Sequence, residues 1–215
     1  ATQKVTFIRQ LRWDRLAWNA ARWALTGKGT LASQLNSCNV VIRTDPRLDR
    51  PDMQIMVNPI RFDAQTWFPG IKPEQDHVFW AGIVQLHPES RGWVELKSTN
   101  PRDVPAVTLN IMAEEADLAQ MRRAIRTARK IYRSEPMGSL VGAERPPFAG
   151  LDSDEELNAM IRATCYVGMH PTSTCAMGMG ERSVVDEECR VIGVEGLRVV
   201  DASVMPTVPG GNTAI

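Results

Sequence analysis

A change of hydrophobic rhythm constrains this chain more than any other feature. Between residues 113 and 133, Leu118, Met121, Ile125, Ala128 and Tyr132 recur at steps of three and four, which places them on one face of a helix. The sequence before it lacks that period. Residues 39–44 (NVVIRT), 53–58 (MQIMVN), 78–86 (VFWAGIVQL) and 93–96 (WVEL) are short β-rich runs bounded by turn-forming residues. A helix with one apolar stripe has to bury it, and a sheet with one apolar face is a surface it can lie on. The expected fold class is α+β: an antiparallel sheet from about residue 38 to 110, wet on one face and backed by the 113–133 helix.

Two further helices are expected. Residues 13–25 (WDRLAWNAARWAL) bring Trp13, Leu16, Ala17, Ala20 and Ala24 to helical spacing, and Gly27 and Gly29 end the run. After a Pro/Gly-rich break at 136–150, Ser153 and Glu156 stand at capping-box spacing and open a helix to about Cys165. On the long helix, Arg122, Arg123, Arg126, Arg129, Lys130 and Arg133 are read as a solvated face rather than a site for an acidic partner.

Composition narrows the function classes. Lys plus Arg and Asp plus Glu number 25 each, so the basic excess of a nucleic-acid binder is missing. No apolar run approaches the roughly 18 residues of a membrane span. The start has neither an initiator Met nor a signal-peptide pattern, and the chain is read as beginning inside a longer protein. Cys38, Cys165, Cys175 and Cys189 form no CxxC and no Cys/His pair at zinc spacing, so no metal site is expected. They are read as reduced thiols of a cytoplasmic protein, with membrane association left open.

The chemistry concentrates in the tail. Of three histidines, His77 and His87 flank the 78–86 strand and are read as structural or surface residues. His170 sits in Gly-Met-His-Pro-Thr-Ser-Thr-Cys-Ala-Met-Gly, where Pro171 holds its backbone extended and hydroxyl side chains follow. Taken alone, this loop histidine fits catalysis and structure equally. Further on, 191–206 reads VIGVEGLRVVDASVMP, a Gly-bounded turn and a buried-type strand at 197–200 ending on Asp201-Ala202-Ser203. Locally Asp201 reads as a helix cap. Pro209-Gly210-Gly211-Asn212-Thr213 follows, a turn presenting an amide and a hydroxyl.

In this order, HPTSTCAMG, VVDEECRVIGVEGLRVVDASVMP and GGNT resemble the C-terminal signature of the glucose–methanol–choline oxidoreductases, and HPESRGWVELKSTNPRDVPAVTLN resembles an upstream segment of the same family. Among subfamilies the chain looks like the choline-dehydrogenase-like members. The resemblance implies an FAD-dependent enzyme that oxidises an alcohol to an aldehyde or ketone by hydride transfer to flavin. It puts the proton acceptor on His170 and its hydrogen-bond partner on Asn212, with Asp201, Ala202, Asn212 and Thr213 contacting FAD. It also implies a small-molecule alcohol substrate, an electron acceptor (oxygen, a quinone or another carrier) and an N-terminal half that supplies the rest of the FAD-binding domain. Residues 1–165 would then be a substrate-binding domain, and 166–215 the catalytic segment that completes the cofactor domain.

The chemistry agrees with that assignment. Removing a hydride from carbon and a proton from oxygen requires a hydride sink, a base and a donor for the developing alkoxide. Flavin, a neutral imidazole and a neutral amide supply these in turn. Two features depart from the family pattern: no G-x-G-x-x-G follows a strand here, and the sequence ends at Ile215, where the pattern continues. Two other classes stand as alternatives. One is a non-catalytic α+β binding or assembly module that retains the motifs; the other is a thiol- or metal-based hydrolase using Cys175 and His170.

Overall fold

Each of the expected helices forms, because each carries both its apolar stripe and its end signals. The computed structural model describes residues 1–32, 38–211 and 213. Its main elements are α1 (Trp13–Thr26), β1 (Cys38–Ile42), β2 (Met53–Asn58), β3 (Trp80–Gln85), β4 (Trp93–Glu95), β5 (Ala106–Thr108), α2 (Glu115–Arg133) and α3 (Asp154–Thr164). The class is α+β, as expected.

Among the described residues the expected single sheet is in fact two. One has three strands in the order β1-β2-β3; the other is the antiparallel pair β4-β5, with Trp93 opposite Thr108 and Glu95 opposite Ala106. The turn between β3 and β4 is the reason, because it is fastened to α2 and redirects the chain. Gly92 closes that turn tightly: a Cβ there would lie 2.1 Å from the Thr108 carbonyl oxygen. The chain must be glycine at this point for β5 to approach.

The residues group into two compact units. The first joins Ala1–Ile42, Gln54–Val84 and Arg123–Leu151. Its apolar centre includes Ile8, Ile60 and Trp67, with Phe7, Leu11 and Ala64 packed around them. The Trp67 indole donates to the Ile8 carbonyl at 2.8 Å, which satisfies the one polar atom that this ring brings into the core. The Tyr132 hydroxyl donates to the Trp80 carbonyl at 3.2 Å and ties α2 to β3. Burial pushes that phenol up to about 12. His77 is structural, as the sequence suggested. It is buried, with the Thr6 hydroxyl 2.7 Å and the Thr6 amide 3.3 Å from Nδ1, and Glu74 3.3 Å from Nε2.

The second unit joins Arg43–Met53, Gln85–Arg122 and Asp152–Ile215. Leu118 and Met121 of α2 are buried here, as are Leu157 and Ile161 of α3. The solvated basic face expected for α2 needs correction in both units. Arg122 is buried, donating to Asn158 at 2.6 Å and Glu115 at 2.8 Å and pairing with Asp154 at 3.2 Å. In the first unit Arg129 is half-buried, bonded to Glu144 and to the Phe148 carbonyl, each at 3.0 Å. A planar guanidinium can serve several acceptors at once while its stem covers apolar surface, so these arginines clamp neighbouring segments instead of facing water.

The helix α3 begins with the expected capping box. The Ser153 hydroxyl accepts from the Glu156 amide, and the Glu156 carboxylate accepts from the Ser153 amide, each at 3.2 Å. Ser153→Ala is expected to cost about 1 kcal/mol of stability, read as a lower midpoint in urea with an unchanged slope. A variant that unfolds at the wild-type midpoint would show that the cap is redundant.

Candidate functional site

The site is built from the tail of the second unit, and its local structure follows from short-range hydrogen bonds. Beyond α3 the chain carries no regular element until the 3-10 turn Ala202–Val204. His170 lies between two residues in the left-handed region, Met169 at φ 62° and Ser173 at φ 72°. Side chains with a Cβ adopt that region at a cost, typically where surrounding contacts demand it. Here those contacts are visible: the Cys175 amide donates to the Ser203 carbonyl at 3.0 Å, and the Met177 amide to the Val204 carbonyl at 2.9 Å. The His-Pro loop is thereby laced to the Asp-Ala-Ser turn.

Asp201 caps that turn, accepting from the Ser203 amide at 2.8 Å and from the Ser203 hydroxyl. The hydroxyl and then the amide of Ser203 hold the carboxyl below its ordinary range, so it is an anion at neutral pH. The local reading of Asp201 as a cap is thus satisfied, and it leaves the carboxylate exposed.

His170 and Thr213 meet although 43 residues separate them. Thr213 Oγ1 is 2.9 Å from His170 Nδ1, and the Thr213 amide donates to the same nitrogen at 3.2 Å. The imidazole is half-buried. Asn212 lies outside the described residues. Of the expected site residues, His170 and Thr213 meet directly, while Asp201 and Ala202 stand on the turn to which the His170 loop is bonded.

Three residues at this end of the molecule carry more than the sequence indicated. Asp117 is fully buried and gathers the HPESRG turn. Oδ1 accepts from Gln85 at 2.7 Å and the Glu89 amide at 2.8 Å; Oδ2 accepts from the Ser90 amide at 2.8 Å and the Ser90 hydroxyl. Burial opposes its charge, but these donors outweigh burial and the carboxyl is held below its ordinary range. Ser90 Oγ also accepts from the amides of Ala113 at 3.1 Å and Glu114 at 3.2 Å, just ahead of α2. The turn so fixed presents His87, whose Cε1 and Nε2 lie 3.2 Å from the position a Cβ would take on Gly210. Nothing in HPESRG announces contacts with residues more than 20 positions away. The only signals are a serine in the turn and an acidic residue in the first turn of α2.

His170 lines neither of two concavities in this unit. One is lined by the 186–198 hairpin, including Asp186, Arg190 and Leu197; the other, of about 320 Å³, includes Asp49, Arg50, His87, Glu89, Gln120 and Thr207. The segment 197–200 is not the buried strand expected. It makes a single bridge, Arg198 to Arg190, and Leu197 and Val200 are 51% and 76% exposed. A strand buries both faces only when neighbours cover them, and none does so among the described residues.

This edge nonetheless suits the flavin that the motifs imply. A Cβ on Gly211 would meet nothing within 4 Å, Val200 and Asp201 are open, and Thr213 offers a hydroxyl nearby. Open backbone, an apolar side chain and hydrogen-bonding groups fit a large planar ligand with polar edges. The hydrolase alternative finds no support: the imidazole's bonds go to Thr213 and not to Cys175, and no cluster of metal-ligating side chains occurs among the described residues. All four cysteines are free.

Comparison with known proteins agrees with the motifs. A family profile described as "GMC oxidoreductase" matches residues 88–215. The chain is 36% identical over 211 residues to an oxygen-dependent choline dehydrogenase of Pseudomonas fluorescens (strain SBW25), covering 98% of this chain and 36% of that protein. It is 36% identical over 192 residues to the mitochondrial choline dehydrogenase of Mus musculus, covering 88% and 31%. Among solved structures it resembles pyridoxine 4-oxidase from Mesorbium loti, with a TM-score of 0.70, 26% identity, and coverage of 83% of this chain and 35% of that one. A formate oxidase structure from Aspergillus oryzae shares the fold at a TM-score of 0.78 and 24% identity, over 92% and 38% of the two chains. The chain spans little more than a third of the length of the curated relatives it matches, 36% in the first case.

Proposed function

We propose, for a chain that belongs to the GMC oxidoreductase family, that the intact protein is an FAD-dependent enzyme oxidising an alcohol to the aldehyde or ketone. The observation that carries the reading is the pairing of His170 with Thr213 across 43 residues, which joins the His-Pro loop to the Gly-Gly-Asn-Thr turn at one point. FAD supplies the hydride acceptor when bound. Asp201, Ala202, Asn212 and Thr213 are the residues of this chain that would hold it. His170 takes the alcohol's proton, and Asn212 donates a hydrogen bond to the oxygen as negative charge develops there. A donor in that position contributes about 3 kcal/mol to the transition state.

In this reading residues 1–165 serve the substrate side and 166–215 the cofactor side, with the remainder of the FAD-binding domain supplied by an N-terminal half. The names of the relatives favour choline among the alcohols to be tried first. Oxygen, a quinone or another carrier would serve as the electron acceptor. A cytoplasmic location, with or without membrane association, is part of the same proposal. No helix among the described residues is long and apolar enough to cross a membrane.

The test is a set of steady-state assays of the intact protein on a panel of alcohols including choline, with oxygen and a quinone as alternative acceptors. Turnover of at least one alcohol with bleaching of the flavin supports the reading. An intact protein that binds FAD and oxidises none of them would favour the alternative, a binding or assembly module that retains the motifs.

A further inference from the structure

The Thr213 amide fixes where the proton sits on His170. A backbone N–H can only donate, so Nδ1, at 3.2 Å from it, must present its lone pair. The neutral ring therefore carries its proton on Nε2. Nε2 is then a donor, and Nδ1 is the basic atom of the imidazole. Thr213 Oγ1 stands 2.9 Å from that basic atom, and because Nδ1 has no hydrogen, the hydroxyl is the donor there as well. Having given its one hydrogen to Nδ1, the hydroxyl keeps lone pairs with which to accept from another O–H.

From this geometry we propose that Thr213 is a further catalytic residue, a hydroxyl relay between the substrate alcohol and Nδ1 of His170. The inference rests on the alcohol-oxidation reading above. As the carbon-bound hydride leaves to the flavin, the alcohol O–H bond breaks and its proton passes to Thr213 Oγ1. The hydrogen already on Oγ1 passes to His170 Nδ1. The alcohol loses two electrons and two hydrogens in all, one as hydride and one as proton. Thr213 ends as a neutral hydroxyl and His170 gains a proton. The hydrogen bond then reverses, with Nδ1–H donating to Oγ1. The Thr213 amide has no acceptor while the imidazolium lasts, which favours return of the proton once the product leaves.

The experiment compares Thr213→Val and Thr213→Ser in the intact holoenzyme. Valine keeps the shape and the backbone amide but has no hydroxyl; serine keeps the hydroxyl. Flavin reduction by an alcohol is followed by stopped flow in mixtures of light and heavy water. The wild type and Thr213→Ser should show a curved dependence on deuterium fraction, as two protons moving together require. Thr213→Val should be slower by about 10²-fold with a linear dependence. Nitrogen NMR of the His170 side chain provides a readout apart from turnover, with Nδ1 pyridine-like and Nε2 pyrrole-like in all three proteins. Thr213→Val reducing flavin at the wild-type rate would overturn the relay, and a protonated Nδ1 in the resting protein would overturn its premise. A wild type whose flavin no alcohol reduces would sink the oxidation reading and the relay with it, while the nitrogen shifts still report the tautomer.

Discussion

Replacing His170 with alanine should slow flavin reduction by an alcohol by about 10²-fold or more, because in the proposed mechanism the site loses its terminal base. Hydride transfer from a neutral alcohol leaves a protonated carbonyl unless a base removes the proton in step. The stopped-flow rate in the intact protein measures that cost directly. FAD content should be unchanged, since Asp201 and the Ala202–Val204 turn are held by their own hydrogen bonds and not by the imidazole. Asn212→Ala should have the smaller effect, because it removes a donor and leaves the base in place. A His170→Ala enzyme that reduces flavin at the wild-type rate would return His170 to a structural role in its loop.

The largest effect on stability is expected at Asp117. Both carboxylate oxygens are used, taking donors from Gln85, Glu89 and Ser90 with no exposure to water. Asp117→Asn turns one oxygen into an amide NH2, a donor that faces donors either way round: Gln85 and the Glu89 amide on one side, the Ser90 amide and hydroxyl on the other. The cost is about 2–4 kcal/mol, measured by urea unfolding at neutral pH. The same site sets an acid dependence. The folded carboxyl is held below its ordinary range, so its contribution is fully present above the unfolded value of about 3.9 and is lost as pH falls through the folded value. Wild type should therefore lose stability relative to Asp117→Asn as the solution is acidified below about pH 4. Parallel stability curves over that interval would show that the carboxylate's bonds add nothing net.

Much of this molecule is legible in its sequence. Periodicity located α1 and α2, and the pairing of Ser153 with Glu156 located the start of α3, because helix formation and capping depend on residues within one or two turns. The run MQIMVN, β-rich and bounded by turn-forming residues, became β2 with its stated bounds. Lys130 and Arg133 of α2 are exposed, as a solvated face requires, but Arg122 and Arg129 are not, because a one-dimensional pattern shows which side of a helix is charged and not what lies against it. Asp154 and Asn158, which hold Arg122, belong to α3.

The sequence by itself determined the family, through three motifs in a fixed order, and those motifs singled out His170, Asp201, Ala202, Asn212 and Thr213 as the residues to propose for one site. It also settled the helices, whose stabilising contacts are local. Only the tertiary structure decided that the Thr213 amide points at Nδ1 of His170 and that Asp117 gathers the turn before β4. The division of the strands into two sheets was likewise beyond the sequence. These outcomes depend on directional hydrogen bonds between residues tens of positions apart. Which donor meets which acceptor is settled by how the intervening chain packs, and no spacing in the sequence encodes it.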